Sequence, residues 1–159
     1  MAQIKITTFI KNTPAVVFDL SRSIDLHKLS TAKTNEEAVA GVTSGLISLN
    51  ETVTWQAFHL FKLRQFTSRI TEYDFPHSFT DQMQKGDLKY FRHEHLFSGK
   101  EGGTLMEDRI DLEAPCGLLG KLVMKIFLKN YFKRFLIERN TLIKEFAESN
   151  KWKAILKQQ

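Results

Sequence analysis

Five ionisable side chains sit among large apolar ones at alternating positions between Val53 and Leu112: His59, Asp81, His93, His95 and Asp108. Phe91, His93, His95 and Phe97 share one parity; so do Phe79, Asp81 and Met83, then Trp55, Ala57 and His59, then Thr104, Met106, Asp108 and Ile110. Successive side chains on a strand point to opposite faces, so each set looks one way if its segment is a strand. A plain core does not accept so many ionisable groups without partners. An apolar-walled cavity with a few fixed polar groups does. Trp55, His59, Phe79, Asp81, Met83, Phe91, His93, His95, Met106 and Asp108 are therefore expected to face one internal cavity.

Several chemistries fit these polar groups. The imidazoles and carboxylates could satisfy one another as His–Asp hydrogen bonds that fix the cavity's shape. They could orient the polar end of an apolar ligand. His93 and His95, at i and i+2 on one strand, could converge on an ion, with His59 or Asp108 completing the site. General acid–base catalysis by His93, His95 and Asp108 is the enzymatic alternative. Other enzyme signals are missing. Thr43-Ser44-Gly45 lacks the flanking glycines of a nucleophile elbow. Lys100-Glu101-Gly102-Gly103 is too short for a phosphate loop. Cys116 has no histidine nearby in sequence and reads as inert. The balance favours a non-catalytic binder, with no metal or cofactor assigned.

The elements that must position these groups follow from local signals. Residues 2–10 alternate as a strand. Thr13 then caps a short helix with Pro14 at its first position and Ala15 to Ser21 as its body. Ser23 caps a second helix, Ile24 to Leu29. Residues 31–44 carry little pattern. Strands are expected over 52–63, 66–75, 78–84, 88–97 and 104–112. Their turns are marked by Phe75-Pro76-His77, Lys85-Gly86-Asp87 and a hairpin loop over residues 99–103. Pro115-Cys116-Gly117 opens a long helix to about Ser149. Hairpins imply an antiparallel sheet, and helices at the two ends of the chain imply an α+β domain. The expectation is one domain over residues 1–159, with a curved seven-stranded sheet around the long C-terminal helix.

Composition agrees with a globular domain. The 159 residues are 42% hydrophobic and 26% charged, with thirteen phenylalanines and a single cysteine. One cysteine excludes an intramolecular disulfide. Residues 1–12 lack a signal-peptide stretch, and no run approaches the roughly 20 apolar residues of a membrane span. A cytoplasmic protein is expected. The net charge of +5 permits an anionic partner. No zinc-finger spacing, helix-turn-helix or RNA-binding aromatic motif supports nucleic acid.

Particular stretches carry a family resemblance: Arg22-Ser23-Ile24-Asp25-Leu26-His27, Thr43-Ser44-Gly45-Leu46-Ile47, and Glu51-Thr52-Val53-Thr54-Trp55 with Ala57 and His59. It continues through Phe79, Asp81, Met83 and Gly86, then His93, His95 and Phe97. Thr104, Met106 and Asp108, Pro115 and Gly117, and Arg139-Asn140 complete it. In these the chain resembles bacterial ligand-binding members of the START and polyketide cyclase/dehydrase superfamily (SRPBCC, Bet v 1-like). The resemblance implies a helix-grip fold and the binding or carriage of a hydrophobic or amphipathic small molecule between sheet and C-terminal helix. The superfamily also includes cyclases, so a cyclase/dehydratase-type enzyme using a His–Asp pair is the alternative; fold alone does not decide.

The closing helix has two apolar arcs. Leu118, Leu119, Leu122, Val123, Ile126 and Phe127 cluster on one side, and Phe132, Phe135, Leu136, Leu142, Ile143 and Phe146 on another. The arc turns by about half a revolution around Asn130, which implies a bend there or two apolar faces. Lys121, Lys125, Lys129 and Lys133 form an i, i+4 ladder of like charge. It reads as a solvated stripe or as a transient contact with an anionic membrane.

Overall fold

The computed structural model describes residues 1–157 other than 33–34, 60, 116, 118–121 and 123–126, and His59 by its backbone alone. Strand β1 (Ala2–Ile10) leads through helices α1 (Pro14–Ser21) and α2 (Ile24–Ser30) to six further strands. These are β2 (Glu37–Gly41), β3 (Thr52–His59), β4 (Lys62–Asp74), β5 (Ser78–Lys85), β6 (Tyr90–Lys100) and β7 (Gly103–Glu113). Helix α3 (Lys129–Glu148) and a short α4 (Lys151–Leu156) follow. All strands join one antiparallel sheet in the order β1-β7-β6-β5-β4-β3-β2. Apart from the β1–β7 pair, every neighbouring pair is consecutive in sequence. The sheet is thus a meander whose first strand closes on its last.

Both cap residues act as their types demand. The Thr13 hydroxyl accepts from the backbone N–H of Val16, and the Ser23 hydroxyl from that of Leu26. The register shift at Ile70/Glu72, where Thr71 is the extra residue, bends β4 and switches its buried parity; at Thr67/Ser68 the extra residue is Gln84 of β5. Ser68 and Ile70 are buried upstream, whereas Tyr73 packs edge-on against Phe18 downstream. The turn before β7 is tighter than the expected loop: β6 runs to Lys100 and Gly103 already pairs. A Cβ at Gly103 would meet the carbonyl oxygen of Ile10 at 2.3 Å, so only glycine fits there.

Three other boundaries correct the sequence expectations. Strand β3 ends at His59, not at residue 63, and β4 begins at Lys62, with Phe61 between them at φ +64°. Nothing in the apolar stretch Phe58-His59-Leu60-Phe61 carries a glycine or proline to announce that turn. Strand β2 lies in the stretch that showed no pattern; it is an exposed edge in which only Ala38 is partly buried. The helix ending near Ser149 is followed by a further one, α4, which packs Trp152 and Ile155 onto the core.

Helix α3 buries Leu136, Arg139, Asn140, Ile143 and Ala147. Those positions recur at intervals of three and four, one helical stripe. Phe127 and Leu128 just before it form a wider, π-type turn, which resets the phase of the side chains. Most of the first apolar arc, with Lys121, Lys125 and Cys116, falls outside the described residues.

Candidate functional site

The interior has two ends. At one, Phe18 is fully buried and packs edge-on against Tyr73, Phe75 and Phe79, with Phe97 tilted beside it. Met106 is buried in the same cluster and accepts a weak contact from the Ser21 hydroxyl at 3.5 Å. At the other end, sheet, α2 and α3 surround a cavity of about 490 Å³. Its walls are mainly apolar: Val53, Trp55 and Ala57 from β3, Ile70 from β4, Phe91 from β6 and Leu136 from α3. Polar groups cluster on β5 and β6, where Asp81, His93 and His95 meet; Arg64, Gln65 and Ser68 of β4 also line the cavity.

That cluster is part of a four-residue lattice built by strand register. His93 on β6 lies opposite Asp81 on β5, and His95 lies opposite Asp108 on β7. The hydrogen bonds run diagonally. His93 Nε2 is 2.8 Å from Asp108 Oδ1, and His95 Nε2 is 3.1 Å from Asp81 Oδ2. Across each rung, His93 Nδ1 is 3.6 Å from Asp81 Oδ2, and His95 Nδ1 is 3.0 Å from Asp108 Oδ1. The last pair is close but misaligned, and His95 Nδ1 has no hydrogen-bond partner. The two imidazoles lie 3.7 Å apart between centroids, and the His95 ring stacks on Phe79 at 4.1 Å. Phe79 thus joins the filled end to the polar lattice.

Helix α3 supplies the backing. Asn140 Nδ2 donates to Asp108 Oδ2 at 2.6 Å, and Arg139 Nη1 stands 3.8 Å from Asp108 Oδ1. Arg139 Nη2 donates to the carbonyl of Ser21 at 2.6 Å, tying α3 to the end of α1. Asp108 is wholly buried, while the Asp81 side chain keeps 19% of its surface exposed. Burial alone would raise both carboxyl pKa values. Hydrogen bonds and charge from the two histidines outweigh it, holding Asp81 below the usual carboxylate range and Asp108 well below it. Burial, reinforced by the neighbouring His95, lowers the His93 pKa despite both aspartates. Burial also lowers that of Arg139.

Of the ten residues expected at the cavity, Trp55, Phe79, Asp81, Phe91, His93 and His95 are on its wall. Asp108 sits one layer behind the imidazoles, Met106 is in the filled end, and Met83 is half-buried beside Phe91 in a second apolar cluster. The side chain of His59 lies outside the described residues. A different histidine, His27 on α2, faces the cavity: its ring lies tilted against Trp55 at 4.2 Å and its Nε2 contacts Glu36 Oε2 at 2.9 Å. Arg139 and His27 were missed as cavity residues by strand parity because both are on helices. The signal for Arg139 and Asn140 was a polar pair inside the apolar stripe of α3.

No protein-family model and no curated protein matches the chain. Solved structures do match over nearly its whole length. A protein from Thermus thermophilus superposes with a TM-score of 0.70 at 16% identity, over 89% of this chain and 97% of its own. The ginseng major latex-like protein from Panax ginseng gives 0.69 at 15%, over 93% and 98%. A START superfamily protein from Mycobacterium smegmatis gives 0.67 at 12%, over 92% and 97%. The chain has the helix-grip fold of the START and Bet v 1-like superfamily. At such identities the likeness is one of fold, so within this helix-grip domain the chemistry must be argued from the lattice and the cavity themselves.

Proposed function

We propose that the protein binds or carries a hydrophobic or amphipathic small molecule in the cavity between the sheet and α3, with the molecule's polar end against Asp81, His93 and His95. The observation that carries this reading is the cavity's construction: about 490 Å³ walled mainly by apolar side chains, with a hydrogen-bonded cluster of fixed polar groups, Asp81, His93 and His95, on its wall. Acid–base catalysis of the cyclase/dehydratase type has weaker support, because Asp108 reaches the cavity only through the imidazoles it holds.

Titration with an apolar fluorescent probe, anilinonaphthalene sulfonate, tests the reading. Saturable binding of one probe per folded chain, lost in Ala57→Phe, is expected; binding unchanged by that substitution would refute it. Contact with an anionic membrane is a subsidiary proposal. Lys129 and Lys133 are exposed, as are the apolar residues Leu122 and Phe127 that precede them in the chain, and exposed cations together with exposed apolar side chains suit a surface contact. Among the described residues no helix is long and apolar enough to cross a membrane.

A further inference from the structure

We propose that Asp81, His93 and His95 form a binding site for a divalent transition-metal ion, with Asp108 as the carboxylate that orients both imidazoles. One ligand atom from each of the three lies within 4.8 Å of those from the other two. The proposal goes beyond the small-molecule reading and does not depend on it.

The geometry within the lattice supports a shared ion more closely than the bare cluster does. Each imidazole stands between two carboxylates, one nitrogen toward Asp108 and the other toward Asp81. A neutral imidazole has one N–H and one lone pair. As the lattice stands, His95 bonds Asp81 through Nε2 and its Nδ1 is unpaired; with the proton moved to Nδ1, 3.0 Å from Asp108 Oδ1, the lone pairs of His93 Nδ1 and His95 Nε2 both turn toward Asp81. A cation among those three atoms satisfies all of them. The separations suit it: Asp81 Oδ2 is 3.6 Å from His93 Nδ1 and 3.1 Å from His95 Nε2. Ligands on a tetrahedral zinc with bonds of ~2.1 Å lie about 3.4 Å apart.

Asp108 then plays the part that carboxylates play behind metal-bound histidines, fixing tautomer and ring orientation. It is itself fixed by Asn140 at 2.6 Å, and the stacking of His95 on Phe79 holds the second ring. Two imidazole nitrogens and one carboxylate oxygen suit zinc, cobalt or iron rather than magnesium or calcium. Three protein ligands on the cavity wall leave a coordination position facing the cavity, where water or the ligand's polar group would bind. Charge specifies that group further. Asp81, Asp108 and Arg139 sum to one negative charge with both histidines neutral, so a divalent ion leaves one positive charge. A carboxylate or another anionic oxygen on the ligand would balance it.

The test uses the whole chain, freed of metal with chelator, and the ion alone. Zn²⁺ titrated calorimetrically is expected to bind once per folded chain, and Co²⁺ to give the visible absorption of a site of low coordination number. Asp81→Asn and His95→Phe should weaken Zn²⁺ binding at least tenfold. Asp108→Asn, which removes no ligand, should weaken it ~10–100-fold. Circular dichroism identifies any variant that does not fold. A long-range ¹H–¹⁵N spectrum of the wild type then replaces it, with zinc expected to shift His93 and His95 ring nitrogens. Absence of binding by the folded wild type, binding unchanged in the folded variants, or shifts confined to other histidines would overturn the site. Each of those results leaves probe binding in the cavity as a separate question.

Discussion

The two ends of the interior are made from similar residues and solve opposite problems. Around Phe18 the aromatic rings meet edge to face at centroid distances of 5.1–5.2 Å, and Ile10, Val17 and Met106 close the remaining space. Beyond Phe79 the same sheet face stops filling itself. Small side chains, Ala57 and Ser68, and a lattice of fixed polar groups leave space between rings that pair at the walls, as Phe66 does edge-on with Phe91. The lesson is that phenylalanine content alone does not distinguish a packed core from a container. What separates the ends is whether helices α1 and α3 bring side chains down onto the sheet or stand away from it.

Large-to-small and small-to-large substitutions should therefore have opposite consequences at the two ends. Phe18→Ala is expected to cost ~3–5 kcal/mol, as buried aromatic truncations do, with probe affinity per folded molecule unchanged. Ala57→Phe adds volume where space exists, so it should cost less than about 1 kcal/mol. The same kind of change in a filled core costs ~1–3 kcal/mol. Thermal and denaturant unfolding of the two variants checks both numbers. Equal destabilisation would erase the distinction between the ends.

His95→Phe probes the boundary. Asp108 keeps the hydrogen bonds from His93 and Asn140 in that variant, and the new ring can still stack on Phe79. The fold should survive, while a bound polar group that hydrogen-bonds to the imidazole loses ~1.5–3 kcal/mol, or about tenfold to hundredfold in affinity. A large fall in melting temperature with unchanged affinity would instead assign the histidine to stability alone.

Acid distinguishes the two ends as well, since the filled one contains no titrating lattice. His93 has a lowered pKa in the folded state, so the unfolded chain binds the proton first as pH falls below its ordinary 6.5. Stability should be level from about that value to pH 8 and should decline below it. Asp81 and Asp108 are lowered from 3.8, so their contribution is intact above that value and is lost as pH falls through the folded values, which steepens the decline. Stability that is flat through the His93 window in denaturant titrations at pH 7, 6 and 5 would contradict this account. The smallest effect expected concerns the surface: Lys129→Glu with Lys133→Glu should reduce cosedimentation with anionic vesicles at low salt. Salt should reduce it too, through screening over about 8 Å at physiological strength.

Much of this arrangement was legible in the chain. Thr13-Pro14 and Ser23 announced two helices, and strand parity brought Asp81, His93, His95 and Asp108 to one face because no bulge interrupts β6 or β7. Parity could not say that the hydrogen bonds run diagonally, which depends on the pairing of β5, β6 and β7. Nor could it separate the wall from what lies behind it: Met106 and Asp108 share a parity with cavity residues yet lie under α1 and α3. Strand β2 escaped because an exposed edge strand has no buried alternation to read. Arg139 and His27 escaped because their roles come from helices packing over the sheet, a tertiary relation.

Native mass spectrometry of freshly purified protein, followed by organic extraction, tests the central claim most directly, with Ala57→Phe as the control. The account predicts a fraction of wild-type chains carrying a discrete added mass that extraction recovers as an amphipathic molecule, and its loss from folded Ala57→Phe. A discrete extractable mass retained in full by that variant would contradict the account. So would wild-type protein that carries no such mass and binds no apolar probe on titration.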